Sequence, residues 1–320
     1  DRWYEMATDT PMLAESGLGD TGVGVRGIFG TGTTPGTTDF IGFINIASNG
    51  NEQDFGNAST EIQGASAGLS SRTRGIFAGG QDPSSPHNEI QFLTISSKGD
   101  TTDFGDLTRA VRFCEGASNQ TRGIIAGGLD QPSDNRVNTT EYITIASTGN
   151  ANDFGDLTVG RGQGRGVSNS TRAIFACGQS PTKVNTIDFF MIGTLGNAMD
   201  FGDATITTDG QASGCNAVRG IYAGGSPAGD ADQKVIEYIT MATKGNATRF
   251  GELSVQRSFA AGVSSPTRSV FAGGYTNPGA THNTTIDFIN NMTEGNAIDF
   301  GDQSVNRDQM GSFSNAHGGL

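Results

Sequence analysis

One eight-residue text constrains this chain more than any other feature. Thr73–Gly80 reads TRGIFAGG, and it returns as VRGIFGTG from Val25, TRGIIAGG from Thr121, TRAIFACG from Thr171, VRGIYAGG from Val218 and TRSVFAGG from Thr267. Anchored on Arg26, Arg74, Arg122, Arg172, Arg219 and Arg268, the spacings are 48, 48, 50, 47 and 49 residues. A fixed period of this size means that one supersecondary unit recurs and buries its apolar face against its neighbours. Stacked units have no single core to outgrow, so 320 residues are compatible with one repeat domain.

Within a unit, the apolar run ending in small residues (GIFAGG) fits a buried strand, here strand b. A loop leads to strand c, with the texts IGFINI, IQFLTI, EYITI, IDFFMI, IEYITM and IDFIN. Gly-Asn or Gly-Asp follows in every unit, from Gly50-Asn51 to Gly295-Asn296, which predicts a tight two-residue hairpin because glycine accepts positive φ. Strand d carries the text DFGD, as at Asp103–Asp106, and a polar loop leads to a small-residue strand a such as FAAGVSS. Four antiparallel strands in each of six units predict an all-β, six-bladed β-propeller. Seventeen aromatic side chains, of 19 Phe, 5 Tyr and 1 Trp, fall into three columns on strands b, c and d and are assigned to packing between blades. After the last strand d, Met310–Asn315 reads as a further strand a, so the ring is expected to close by a C-terminal innermost strand in the first blade.

Residues 1–21 lie outside the period and are read as an arm or attachment segment, with Trp3 and Tyr4 as its candidate anchors; residues 22–320 form the propeller. The formal charge of −13 argues against a nucleic-acid partner, which requires clustered Lys and Arg. No apolar run is long enough to predict membrane insertion. Cys114, Cys177 and Cys215 have neither zinc nor CxxC spacing and read as reduced packing residues, with a bond or reactive thiol as the alternative.

The unit order, quoted from RSFAAGVSSPTRSVFAGG (Arg257–Gly274), IDFIN (Ile286–Asn290) and DFGDQSVNR (Asp299–Arg307), resembles the kelch repeat from about Gly22 to the C-terminus. It departs in one respect: strand d carries Phe where that repeat usually has Trp. The wording GNAxDFGDLT with TRGIFAGG is also similar to kelch-like proteins of marine, especially cyanobacterial, tailed phages. That resemblance implies a virion-associated protein of a tail, fibre or capsid surface, whose partners are other virion proteins and a host-surface glycan or protein.

Fourteen of the 33 acids occupy repeated positions on strands c and d, which suits bonding to turn amides or to the strand b arginines better than catalysis. Calcium binding is the alternative, although no DxDxDG loop is present. Arg112, Arg161, Arg257 and Arg307 sit between strand d and the next strand a, where they either line the central mouth and bind an anion or glycan, or bond blade to blade. The b-to-c loops vary most and hold seven of the 9 prolines. His87, Asp134, Arg136, Lys183, Asp232, Tyr275 and His282 are their candidate contacts. The three histidines cannot supply the two-His, two-Tyr copper site of a galactose oxidase, and neither an Asp-box nor a GxSxG elbow occurs. The expectation is therefore a non-enzymatic protein without a cofactor, whose loops recognise a host surface. A structural spacer and a glycan-processing enzyme are the alternatives.

Overall fold

The computed structural model describes residues 26–34, 36–62, 66–131, 134–229 and 231–320. The expected arm, with Trp3 and Tyr4, lies outside the described residues. Among the described residues, strands are the only extended elements: six four-stranded antiparallel sheets form a six-bladed propeller, ordered a, b, c, d from the axis outward. Blade 2 is typical, with a at Ala67–Ser70, b at Arg74–Ala78, c at Glu89–Thr94 and d at Thr102–Asp106. Blade 1 has b, c and d at Arg26–Gly30, Phe40–Asn45 and Gln53–Asn57, and takes its strand a from Gly311–Ser314. Gly27 pairs with Ser314 and Gly30 with Gly311, so the ring closes as the last small-residue strand predicts.

The apolar alternation puts one hydrophobic cluster between each neighbouring pair of blades. Ile76, Phe104 and Leu107 of blade 2 pack with Ile125, Ile143 and Ile145 of blade 3, while Phe29 and Ile44 of blade 1 pack with Val270, Phe288 and Phe300 of blade 6. Burying each such side chain contributes about 1.5–3 kcal/mol. The c and d aromatics also meet edge to face within each blade, at 5.9 Å for Phe92–Phe104 and 5.8 Å for Phe189–Phe201. A bulge in every c–d pair, between Ile187 and Asp188 in blade 4, adds one residue to strand d opposite that step.

The Gly-Asn text does not form a two-residue hairpin. Strand c of blade 2 ends at Thr94 and strand d begins at Thr102, leaving the connection 95–101. That connection reaches back along the edge of the preceding blade. Gly99 N–H donates to Phe55 O (2.9 Å) and Thr101 N–H to Asn57 O (3.0 Å), while Asp100 Oδ1 accepts from Asn57 N–H (2.9 Å). The same three bonds tie Gly149, Asn150 and Ala151 to blade 2, and Gly50, Asn51 and Glu52 to blade 6 across the closing seam. Local turn preference is thus outweighed by the open edge of strand d, whose backbone groups need partners.

The clasp also explains the glycine inside DFGD. Gly105 has φ +146°, and a Cβ there would stand 2.5 Å from Gly149 O of the next blade. Gly105→Ala is expected to destabilise the propeller by about 2–4 kcal/mol through strain and loss of this clasp, read as a lowered denaturation midpoint with an unchanged folded spectrum.

Candidate functional site

The b-to-c loops and the d-to-a loops share one face, as their places in the unit predict. Leu129–Asp130 pairs with Val111–Arg112, and Thr208–Asp209 with Ser226–Pro227. Single bridges join Gly162 to Gln179, Ser258 to Tyr275 and Thr33 to Asp308. The loops are therefore bound to their neighbours at the mouth.

Most of the expected contact groups serve this binding of loop to loop. Arg112 donates to Gln81 Oε1 (2.7 Å) and to Asp134 Oδ1 (3.0 Å), and Arg136 to Gln179 Oε1 (2.7 Å). Lys183 Nζ donates to Ser226 O (2.9 Å) and pairs with Asp209 (3.3 Å). Asp232 accepts the Asn277 N–H (2.6 Å), and burial raises its carboxyl above the usual range. His282 lies 3.4 Å from Asp308 and edge-on to Tyr275, while Asp308 and Thr33 exchange backbone bonds across the closing seam. The His87 side chain stays within its own loop, 3.5 Å from Asp82. Asp82 accepts from Ser84 and Ser85, which holds its carboxyl down at about 2. Asp134 is exposed, and Arg112, Arg136, His87, Tyr275 and His282 are half-buried at the mouth. Asp232 is buried and is withdrawn as a contact residue.

Arg161, Arg257 and Arg307 are also withdrawn, because each is 0% exposed. Arg161 meets Asp188 at 3.0 Å and donates to Phe175 O; Arg257 meets Asp287 at 2.9 Å and donates to Thr285 O and Phe271 O. Arg307 meets Glu52 and donates to Phe40 O. Arg112 stands one residue later relative to its strand a, which starts at Glu115, whereas Arg161 precedes a strand starting at Arg165. That single step separates a surface side chain from the buried ones.

The strand c acids bond turn amides, as expected. Asp287 accepts from Ser254 N–H (3.2 Å) and hydroxyl (2.7 Å), and Glu237 from both groups of Thr205 (2.9 and 2.6 Å). Blade 1 has Gly42 at this position, and Glu52 fills the vacated space to accept from Ser304. The strand b arginines mostly bond backbone carbonyls instead of acids, although Arg219 also pairs with Glu294 (3.6 Å). Arg74 caps Ile145 O of the next blade (3.0 Å) and stacks on Phe92 (4.7 Å), and Arg122 does the same with Ile192 O (2.7 Å) and Tyr142 (4.6 Å). The strand d acids Asp103, Asp106, Asp200 and Asp203 are exposed on the outer edge. Among the described residues, no group of three or more His, Cys, Asp or Glu is placed to hold a metal ion. The three cysteines are free and buried, and burial pushes the Cys114 thiol up to about 12.

The axis holds residues that the sequence reading did not select. Five of the six inner strands end in Ser70, Ser118, Ser168, Ser264 and Ser314, and the sixth in Cys215. Ser118 Oγ donates to Ser70 O (2.9 Å), Ser168 Oγ to Ser118 O (2.7 Å) and Ser70 Oγ to Ser314 O (2.7 Å), a run of hydroxyl-to-carbonyl bonds from strand to strand that Cys215 interrupts. The tail beyond Ser314 closes the channel on this side. His317 Nδ1 accepts the Gly319 N–H (3.1 Å), so its Nε2 carries the proton toward Ser118 Oγ at 3.3 Å. That tautomer makes His317 a donor to Ser118 and not a base acting on it.

At the loop face, Gln163 N–H donates to Phe113 O, Gly210 N–H to Gln163 O, Phe259 N–H to Gly210 O and Gln309 N–H to Phe259 O, circling the axis. Phe113 and Phe259 come from the loops entering blades 3 and 6, which stand opposite each other, and their rings meet at 6.3 Å. Their rings span the axis at this face. Within the ring of inner strands is a chamber of about 80 Å³, lined by those strands and by Glu115, Arg165, Ser66 and His317. Burial pushes Glu115 up to about 7 and Arg165 down to about 10. The signals for these residues were two phenylalanines outside the aromatic columns, an acid and an arginine in otherwise small-residue strands, and a histidine beyond the last repeat.

The chain matches no family model and no curated protein sequence.

Two outcomes test these assignments. Arg257→Met leaves Asp287 buried without its guanidinium and should cost about 3–5 kcal/mol in denaturant unfolding, whereas Arg257→Met with Asp287→Leu should recover part of that loss. Burial holds His317 down to about 4, below its ordinary 6.5, so the folded state resists its protonation. Its contribution is present above pH 6.5 and is lost as pH falls from 6.5 toward 4, by a few kcal/mol. In urea titrations the His317→Asn variant should therefore lose less stability than the parent between pH 7 and pH 4.

Proposed function

We propose that this chain is a non-enzymatic, kelch-like virion protein whose b-to-c loop face recognises a host-surface glycan or protein. The observation that carries this reading is the contrast between the two faces. On one, six loops of different length and sequence are pinned to one another by side chains such as Arg112, Arg136 and Lys183. On the other, the c-to-d connections repeat nearly the same text and are used for the blade clasp. Variable loops held rigid by a repeated scaffold are suited to recognition, because little conformational entropy is lost when they bind. The virion setting rests on the resemblance of GNAxDFGDLT and TRGIFAGG to phage kelch-like proteins. Weak single contacts would gain strength from many copies on a particle.

The spacer reading has one observation of its own. Met191, Leu195 and Met199, exposed by 39%, 60% and 44%, gather at the c–d end of blade 4, a surface suited to another virion protein.

The two readings separate in a cell-binding assay with labelled protein as monomer and on multivalent beads, across cyanobacterial strains. Recognition predicts saturable, strain-selective bead binding that falls about tenfold in Asp134→Ala with Tyr275→Ala and is unchanged in Leu195→Ser. Folded protein that binds no strain would reject recognition, and capture of a virion protein that is lost in Leu195→Ser would support the spacer.

A further inference from the structure

The axial chamber contains polar groups that the blade-to-blade bonding leaves unmatched. Neither carboxylate oxygen of Glu115 has a hydrogen-bond partner, and the residue is 1% exposed. Its nearest cation, Arg161 Nε, stands 3.5 Å away, and Arg161 is matched on its other side by Asp188. Ser66 Oγ, also on the chamber wall, has no partner. Arg165 donates from Nε to Gln211 O at 2.6 Å and from one Nη to Ala260 O at 3.5 Å. A guanidinium has five N–H donors, so the greater part of its donor capacity is left for another acceptor.

A buried carboxylate without hydrogen bonds is costly, and native proteins satisfy such groups with a ligand, an ion or water. The chamber chemistry narrows the choice. With Glu115 ionised, Glu115 and Asp188 are balanced by Arg161 and Arg165, so a lone cation or a lone anion would upset a neutral group of four. A molecule carrying both charges would not. By volume the chamber holds roughly five water-sized groups, the size of a few heavy atoms. The wall is polar, since Gly68, Gly116, Gly166 and Gly262 bring backbone to the surface and Ser213 and Ser312 complete the same row.

The geometry points to the axial chamber as a binding site for a small zwitterion of amino-acid size, its ammonium group on Glu115 and its carboxylate on Arg165. The ends fit this use. The His317 tail closes one, and at the loop face the Phe113 and Phe259 rings span the axis. Both residues hold positive φ, 54° and 53°, an uncommon conformation for phenylalanine that the ring of backbone bonds maintains. Swinging either ring aside opens the chamber toward the b-to-c loop face. The site is independent of host recognition, since the loop contacts lie outside the chamber.

The test uses the whole 320-residue chain with glycine and β-alanine as probes, and acetate and methylammonium as single-charge controls, by calorimetry and thermal melting. Expected is saturable binding of at least one zwitterion, about tenfold tighter than either control, with a rise in Tm that saturates in step. Glu115→Gln should weaken zwitterion binding about tenfold and leave the folded spectrum intact; Arg165→Met should do the same. Phe113→Ala should speed association without abolishing binding. The proposal is overturned if neither zwitterion binds saturably, if acetate or methylammonium binds as well, or if Glu115→Gln binds like the parent. A linear, non-saturating rise in Tm shared by the parent and Glu115→Gln is the general osmolyte effect and also counts against it. The comparison of probes on the parent chain decides the matter even where a variant fails to fold.

Discussion

Each blade of this propeller leaves an open edge at strand d, and the next blade covers it. The cover is a short segment, such as Gly99–Thr101, that donates two backbone N–H groups and accepts one in return through a side chain. The repeated texts at strand d and in the c-to-d connection follow from this constraint. DFGD keeps its glycine because the neighbour's carbonyl occupies the space of a Cβ. The Gly-Asn pair recurs because glycine accepts the positive φ there, +152° at Gly99, and Asn or Asp supplies the accepting oxygen. The closing seam uses the same bonds as the others, so blade 1 meets blade 6 as blade 2 meets blade 1.

The acidic composition has a matching explanation. Acids on strand c receive the amides and hydroxyls that leave the preceding strand d, and three of the inter-blade loops add a buried arginine to the same group. A buried pair of this kind adds little net stability against a well-packed apolar pair, but losing one member is costly, so it favours one blade geometry over others. The repeated charges are consumed in building the ring. The charges that vary, on the loop face, join unlike loops into one surface, which is the basis for reading that face as a recognition surface.

Where the repeats differ at the axis, the differences collect in one place. Glu115 and Arg165 interrupt a column of small residues, Phe113 and Phe259 stand where other blades carry Gln163, Gly210 and Gln309, and the tail adds His317 from beyond the last unit. A ring of identical blades would have an open, uniform channel. These substitutions turn it into a polar chamber with a buried carboxylate that has no hydrogen bond.

The sequence by itself determined the period, the number of blades, the strand order and the closing strand, because burying an alternating strand allows one register and a repeated unit allows one stacking. It also placed the variable loops on one face, since strands of alternating direction leave no other arrangement. It did not distinguish Arg112 from Arg161, whose opposite exposures depend on a one-residue offset from the following strand. Nor did it show that Gly-Asn grips the neighbouring blade, because turn propensity is local while the open edge it covers belongs to another unit. The meeting of Phe113 with Phe259, 146 residues apart in the chain, was decided only by the ring, which brings opposite blades together at the axis.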